Sequence, residues 1–155
     1  MIVNYEKIEL QNFNFKQYRN QNSNTFIMLV TGACNWQERR GSFRTALLYN
    51  QYMKVYKGDV ADTTSANYCM IQGIKETMKR INYRNSKICI IVASSLGFKL
   101  ENKSVNKEHI KEILDNINKM DNDLEVIELH CGADYIKSWL NRFEMQFGFL
   151  DLNEK

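Results

Sequence analysis

The stretch LVTGACNWQERRGSF, Leu29 to Phe43, followed by Arg44, brings together side chains suited to a phosphate chain and a base. Trp36, Arg39 and Arg40 stand in its turn-like middle. Guanidinium groups neutralise backbone phosphates in a salt-dependent way, and an indole in a turn can anchor a partner surface or stack on a base. Lys99 and Lys103 are further cations elsewhere in the chain that would extend such a patch. The competing reading is a solvated polar surface, the ordinary fate of scattered basic residues. Cys34, Cys69, Cys89 and Cys131 form no CxxC pair, which argues against a zinc ribbon or a disulfide framework and for reduced thiols. Trp139, by contrast with Trp36, falls on an apolar helical stripe and reads as core.

These residues need a scaffold, and the apolar pattern supplies one. TFIMLV, from Thr25, is a continuous apolar run bounded by TGA and reads as a central strand buried on both faces. GSFRTALLYN and QYMKVYKGDV follow as strands joined by a tight turn, giving a three-strand antiparallel meander. DTTSANYCMIQGIKETMKRI opens with capping residue types, among them Thr64, Ser65 and Asn67, and Ile71, Ile74, Met78 and Ile81 then recur at helical spacing. KICIIVASS reads as a buried strand. Ile110, Ile113, Leu114 and Ile117 mark a second helix between Ser104 and Met120, and LEVIELH a last strand. In the closing helix Ile136, Trp139, Leu140, Phe143 and Phe147 share one face. The order is β-β-β-α-β-α-β-α, an α/β fold with a five-stranded mixed sheet over residues 25–155. Residues 1–24 form an N-terminal extension in which Phe13 and Phe15 alternate as a strand does, followed by a loop at NQNSN.

The 155 residues suffice for one substantial core. A net charge of +3 permits phosphate binding but lies below that of a dedicated nucleic-acid binder. The N-terminus lacks a charged start followed by an apolar run, and no window approaches transmembrane length, so a cytoplasmic protein with no membrane partner is expected. The absence of Pro and the many Asn, Lys and Ile residues suggest an AT-rich coding sequence, as in a low-GC bacterium or a bacterial mobile element.

The element order and four short motifs resemble the type 1 ribonuclease H-like family. VTGAC, Val30 to Cys34, stands for the family's TDGA strand end. TTSANYC, Thr63 to Cys69, stands for TTNNRxE, VAS at Val92 to Ser94 for TDS, and Ala133–Asp134 for the AD pair of the last helix. The resemblance covers roughly Thr25 to Phe147. It implies metal-dependent cleavage of RNA in RNA/DNA hybrids, in which four acids hold two magnesium ions, and contact with the hybrid by Thr64, Ser65 and Asn67.

The acids are largely gone. The corresponding positions are Thr31, Cys69, Ala93 and Asp134, and only the last is acidic. Two divalent cations a few ångström apart need several anionic oxygens to offset their repulsion, so the degenerate set implies neither strong magnesium binding nor a catalytic role. Ser94 is the neighbour of Ala93 and restores no charge. The turn NWQERR is also bulkier than the small, Gly-rich connection of active members. The resemblance also carries Cys69, His130 and Asp134 toward the old cleft, where a thiol, an imidazole and a carboxylate make a known nucleophile arrangement; no thiol-enzyme motif accompanies them.

The sequence is therefore read as a catalytically inactive ribonuclease H-like domain kept for nucleic-acid binding or scaffolding. Trp36, Arg39, Arg40, Arg44, Thr64, Ser65 and Asn67 are the candidate contacts. The alternatives are a protein-interaction module on the same scaffold, a residual metal-dependent nuclease and a cysteine-dependent hydrolase. No cofactor is expected.

Overall fold

A strand that is apolar on both faces is stable only where both faces are covered, and TFIMLV opens β2 (Thr25–Asn35), the middle strand of the sheet. The computed structural model describes residues 3–99 and 105–153. Before β2 come β1 (Val3–Glu9) and α1 (Phe15–Gln21). After it come β3 (Arg40–Tyr49), β4 (Tyr52–Ala61), α2 (Ala66–Met78), β5 (Lys87–Val92), α3 (Lys107–Lys119), β6 (Asp123–His130), α4 (Ala133–Phe147) and β7 (Leu150–Asp151). The strands form one mixed, mostly parallel sheet in the order β1-β6-β5-β2-β3-β4-β7. The two antiparallel pairings are those of β3 with β2 and β4.

Alternation along β2 divides the core. Phe26, Met28 and Val30 pack with Ile71 and Ile74 of α2 and Ile110, Ile113 and Ile117 of α3. Ile27 and Leu29 pack on the other face with Ile136, Leu140 and Phe143 of α4 and with Phe15 of α1. Helices thus cover both faces, as a largely parallel sheet requires. Asn50 takes the left-handed conformation, φ 56°, in the two-residue turn that sets Tyr49 opposite Tyr52 and fixes the register of the β3–β4 hairpin. Behind that hairpin the Phe43 ring is held between two glycines. A Cβ on Gly58 would lie 2.3 Å from its Cζ, and one on Gly73 would lie 2.8 Å from its Cγ.

Among the described residues the sheet has seven strands where the sequence pattern predicts five. The five expected strands are β2 to β6, and β1 and β7 extend the sheet at its two edges. The N-terminal segment corrects the reading of Phe13 and Phe15 as a strand. Asn14 Oδ1 accepts the Gln17 N–H at 3.0 Å and caps α1, which carries Phe15 into the core, while the strand lies earlier and pairs in parallel with β6. Phe147 is the other correction, because it ends α4 beyond the buried stripe and is exposed. Trp139 is half-buried, its ring centre 4.9 Å from that of Phe15. Among the described residues no helix is long and apolar enough to cross a membrane.

Candidate functional site

Polar residues enter β2 and β3 where β2 finishes and β3 begins. On the face toward α4, Thr31 lies opposite Arg44, Ala33 opposite Ser42, and Arg44 in turn opposite Lys57 of β4. This row floors a groove of about 470 Å³, walled by Lys137 of α4 and by Phe149, Asp151 and Asn153 beyond it. Asp59 adds a second carboxylate to the lining.

Like charges directly opposite on neighbouring strands repel, so Arg44 and Lys57 need a counter-charge. Glu144 of α4 supplies it, with Oε1 2.7 Å from Lys57 Nζ and 3.8 Å from Arg44 Nη1. Arg44 Nη1 also donates to Asn141 Oδ1 at 2.7 Å, and Lys57 Nζ stands 4.3 Å from the centre of the Phe149 ring. These bonds tie α4 across the sheet and hold both cations in the groove wall. Lys137 is exposed and has no ion-pair partner among the described residues.

Of the four degenerate acid positions, three share the α4 face of the sheet. Thr31 lines the groove, Ala93 packs beside the core under α4, and Asp134 is exposed in the first turn of α4, where the helix dipole favours a carboxylate. Cys69 is buried on the opposite face, where a Cβ on Gly41 would lie 2.4 Å from its Sγ. Burial, and secondarily the nearby Cys34, push the Cys69 thiol up, the reverse of what a nucleophile needs. His130 closes β6 with Nδ1 3.6 Å from Glu9 Oε1. Since β6 lies three strands from β3, it stands roughly 14 Å across the sheet from the Cys69 region. The thiol, imidazole and carboxylate are therefore not brought together. Among the described residues no group of three or more His, Cys, Asp or Glu side chains is placed to hold a metal ion.

The loop candidates form a second locality. Trp36 is 68% exposed at the tip of the β2–β3 turn, whose start is fixed by Asn35 Oδ1 accepting the Gln37 and Glu38 N–H groups. Arg39, at φ 52°, pairs through Nε with Asp62 Oδ1 at 3.0 Å, and its carbonyl accepts the Thr63 N–H. Arg40 is exposed on the same face of β3 as Arg44. Ser65 caps α2 by accepting the Tyr68 N–H, Asn67 donates to the Ser95 carbonyl at 3.4 Å, and Thr64, just before the cap, is exposed. Lys99 does not extend this patch. It stands over the Tyr5 ring at 4.7 Å, beside β1 at the far edge of the sheet, and Lys103 lies outside the described residues.

Sequence reasoning missed Lys57, Lys137 and Glu144. The signal for Lys57 was present, because a two-residue turn at Asn50–Gln51 sets position 57 opposite Arg44. Lys137 and Glu144 depend on how α4 crosses the sheet, which periodicity does not give. Comparison with protein-family models and with curated proteins finds no match to the chain.

Proposed function

We propose that this chain is a ribonuclease H-like domain that has lost two-metal cleavage and serves to bind or scaffold a nucleic-acid duplex along the α4 face of its sheet. Strands β2 to β6, with α2, α3 and α4, follow that family's element order and are contiguous in one mixed sheet, which supports the fold assignment. The observation that carries the functional reading is the position of Thr31. The residue standing for the first acid lines a groove in which Arg44, Lys57 and Lys137 outnumber the carboxylates Asp59 and Asp151 among the described residues. Phosphates are the ligands such a groove attracts, and binding there weakens with salt. Arg40, Arg39 and Trp36 continue the surface toward the loop.

Labelled RNA/DNA hybrid, double-stranded RNA and single strands, each with and without magnesium or manganese, test this when retention and cleavage are scored in the same samples. Retention without cleavage, weakened by salt and by Lys137→Glu, is the expected result. Metal-dependent cleavage that disappears in Asp134→Asn overturns the loss of catalysis. Absence of retention favours the second reading, a protein-interaction module. One observation speaks for that module: Met145, Phe147, Phe149 and Leu150 are all exposed around the end of α4.

A further inference from the structure

A larger cavity, about 650 Å³, opens on the α2 face of the sheet. It reaches Phe26 at the start of β2, five residues and roughly 17 Å along the strand from Thr31. Its size is that of a small-molecule site. Among the described residues it shares no lining residue with the groove on the α4 face.

Its walls are aromatic. The rings of Phe26 and Tyr49 stack at 4.2 Å, and Tyr83 lies nearly parallel to Tyr49, at 12° and 6.1 Å. Tyr83 and Tyr52 line the cavity and remain 63% and 51% exposed. Among the described residues the charge is one-sided: Lys54, Lys79 and Arg80 line the cavity and no carboxylate does. Lys79 and Arg80 share one neighbouring acid, Glu76, at 2.9 and 3.7 Å, whereas Lys54 has no acidic partner among the described residues and stands over the Tyr52 ring at 5.7 Å. Ring faces suit a planar aromatic group, and the excess of cations suits an anion attached to it. A purely apolar peptide would leave those cations facing it uncompensated.

We propose that this cavity binds a nucleotide unit, with its base against Tyr83 and Tyr52 and its phosphate toward Lys54 and Arg80. The proposal is independent of the groove on the α4 face. The unit is either a free nucleotide or part of a single strand, and two probes separate the sources: adenosine monophosphate and a short fluorescein-labelled single-stranded oligoadenylate, each added to the full chain.

Saturable binding is expected, weakened about 5- to 150-fold by Tyr83→Ala, as loss of one base–aromatic stack implies. Lys54→Gln should also weaken it and reduce its salt dependence. Both side chains are exposed, and a thermal melt confirms that the variants fold. Competition by adenosine monophosphate assigns the site to free nucleotides; binding of the oligomer without competition assigns it to a strand. The groove substitution Lys137→Glu should leave this binding within about twofold, so loss of duplex retention and loss of nucleotide binding are read separately. Absence of binding by both probes at millimolar concentration overturns the proposal. So does binding unchanged by combining Tyr83→Ala, Tyr52→Ala and Lys54→Gln.

Discussion

Glu144→Gln is expected to weaken the fold and strengthen duplex binding at once. The carboxylate is the only anion paired with Lys57 among the described residues, at 2.7 Å, and it also lies 3.8 Å from Arg44. All three side chains are partly exposed, so the lost pair is worth about 0.5–1 kcal/mol rather than the several of a buried bridge. Its loss also uncovers repulsion between Arg44 and Lys57, which are direct cross-strand partners. Two unit charges roughly 6 Å apart in a water-like medium contribute about 0.7 kcal/mol. The sum, about 1–2 kcal/mol, should appear as a lower urea midpoint at unchanged slope. Arg44 keeps its bond to Asn141, so Lys57 is the cation set free. One additional phosphate neutralised adds about 0.9 to the dependence of log K on log salt, which corresponds to about 5-fold tighter binding near physiological ionic strength. Fluorescence polarisation with a labelled duplex across a salt series measures both quantities. A folded Glu144→Gln protein with unchanged affinity and an unchanged salt slope would refute the assignment of the groove as a phosphate track.

Three further outcomes are expected. Gly58→Ala should destabilise the fold by about 1–3 kcal/mol by pressing on the Phe43 ring, and adding Phe43→Leu should recover part of the loss in urea titrations. The buried Thr45 and Thr77 hydroxyls, 2.6 Å apart, join β3 to α2; Thr77→Val alone should cost about 1–3 kcal/mol, and the double Thr45→Val/Thr77→Val less than the sum of the singles in a double-mutant cycle. Burial pushes the Cys69 and Cys89 thiols up, so above about pH 8.5 the unfolded chain loses these protons before the folded one. Stability should be full below that pH and fall above it, by up to about 1.4 kcal/mol per pH unit for each thiol, and Cys89→Ala should flatten the decline.

What the sequence discloses depends on how many neighbours an element has. The unbroken run in β2 and the stripes of α2 and α3 are legible because each is covered over a full face by apolar partners. β1 is polar at most positions because it pairs on one side only, and its inward contacts come from residues such as Tyr5 and Ile8, too few to set a period. α1 carries another signal, since Asn14 followed three residues later by Gln17 is a capping pattern, although the alternation of Phe13 and Phe15 reads as a strand. At the candidate site, Thr31 and Arg44 follow from strand register, whereas Glu144 and Lys137 reach the groove only through the packing of α4 on the sheet. Cys69 shows the limit of motif matching: its place in the TTSANYC stretch suggests a cleft residue, yet the stripe of α2 turns it inward against Gly41.

The pairing of β1 with β6 has a consequence for how the protein is made. Val3 and Leu124 are cross-strand partners separated by about 120 residues, so the strand synthesised first waits for nearly the last one. At about 5–20 residues per second, that interval is about 6–24 s, during which β1 has no sheet edge to join. Its charged residues, Glu6, Lys7 and Glu9, keep the waiting segment from pairing with other nascent chains, as charges on edge strands do. The hairpin of β3 and β4, closed by Asn50, has no such delay and provides a local surface on which β2 and α2 can settle while the ribosome completes the rest.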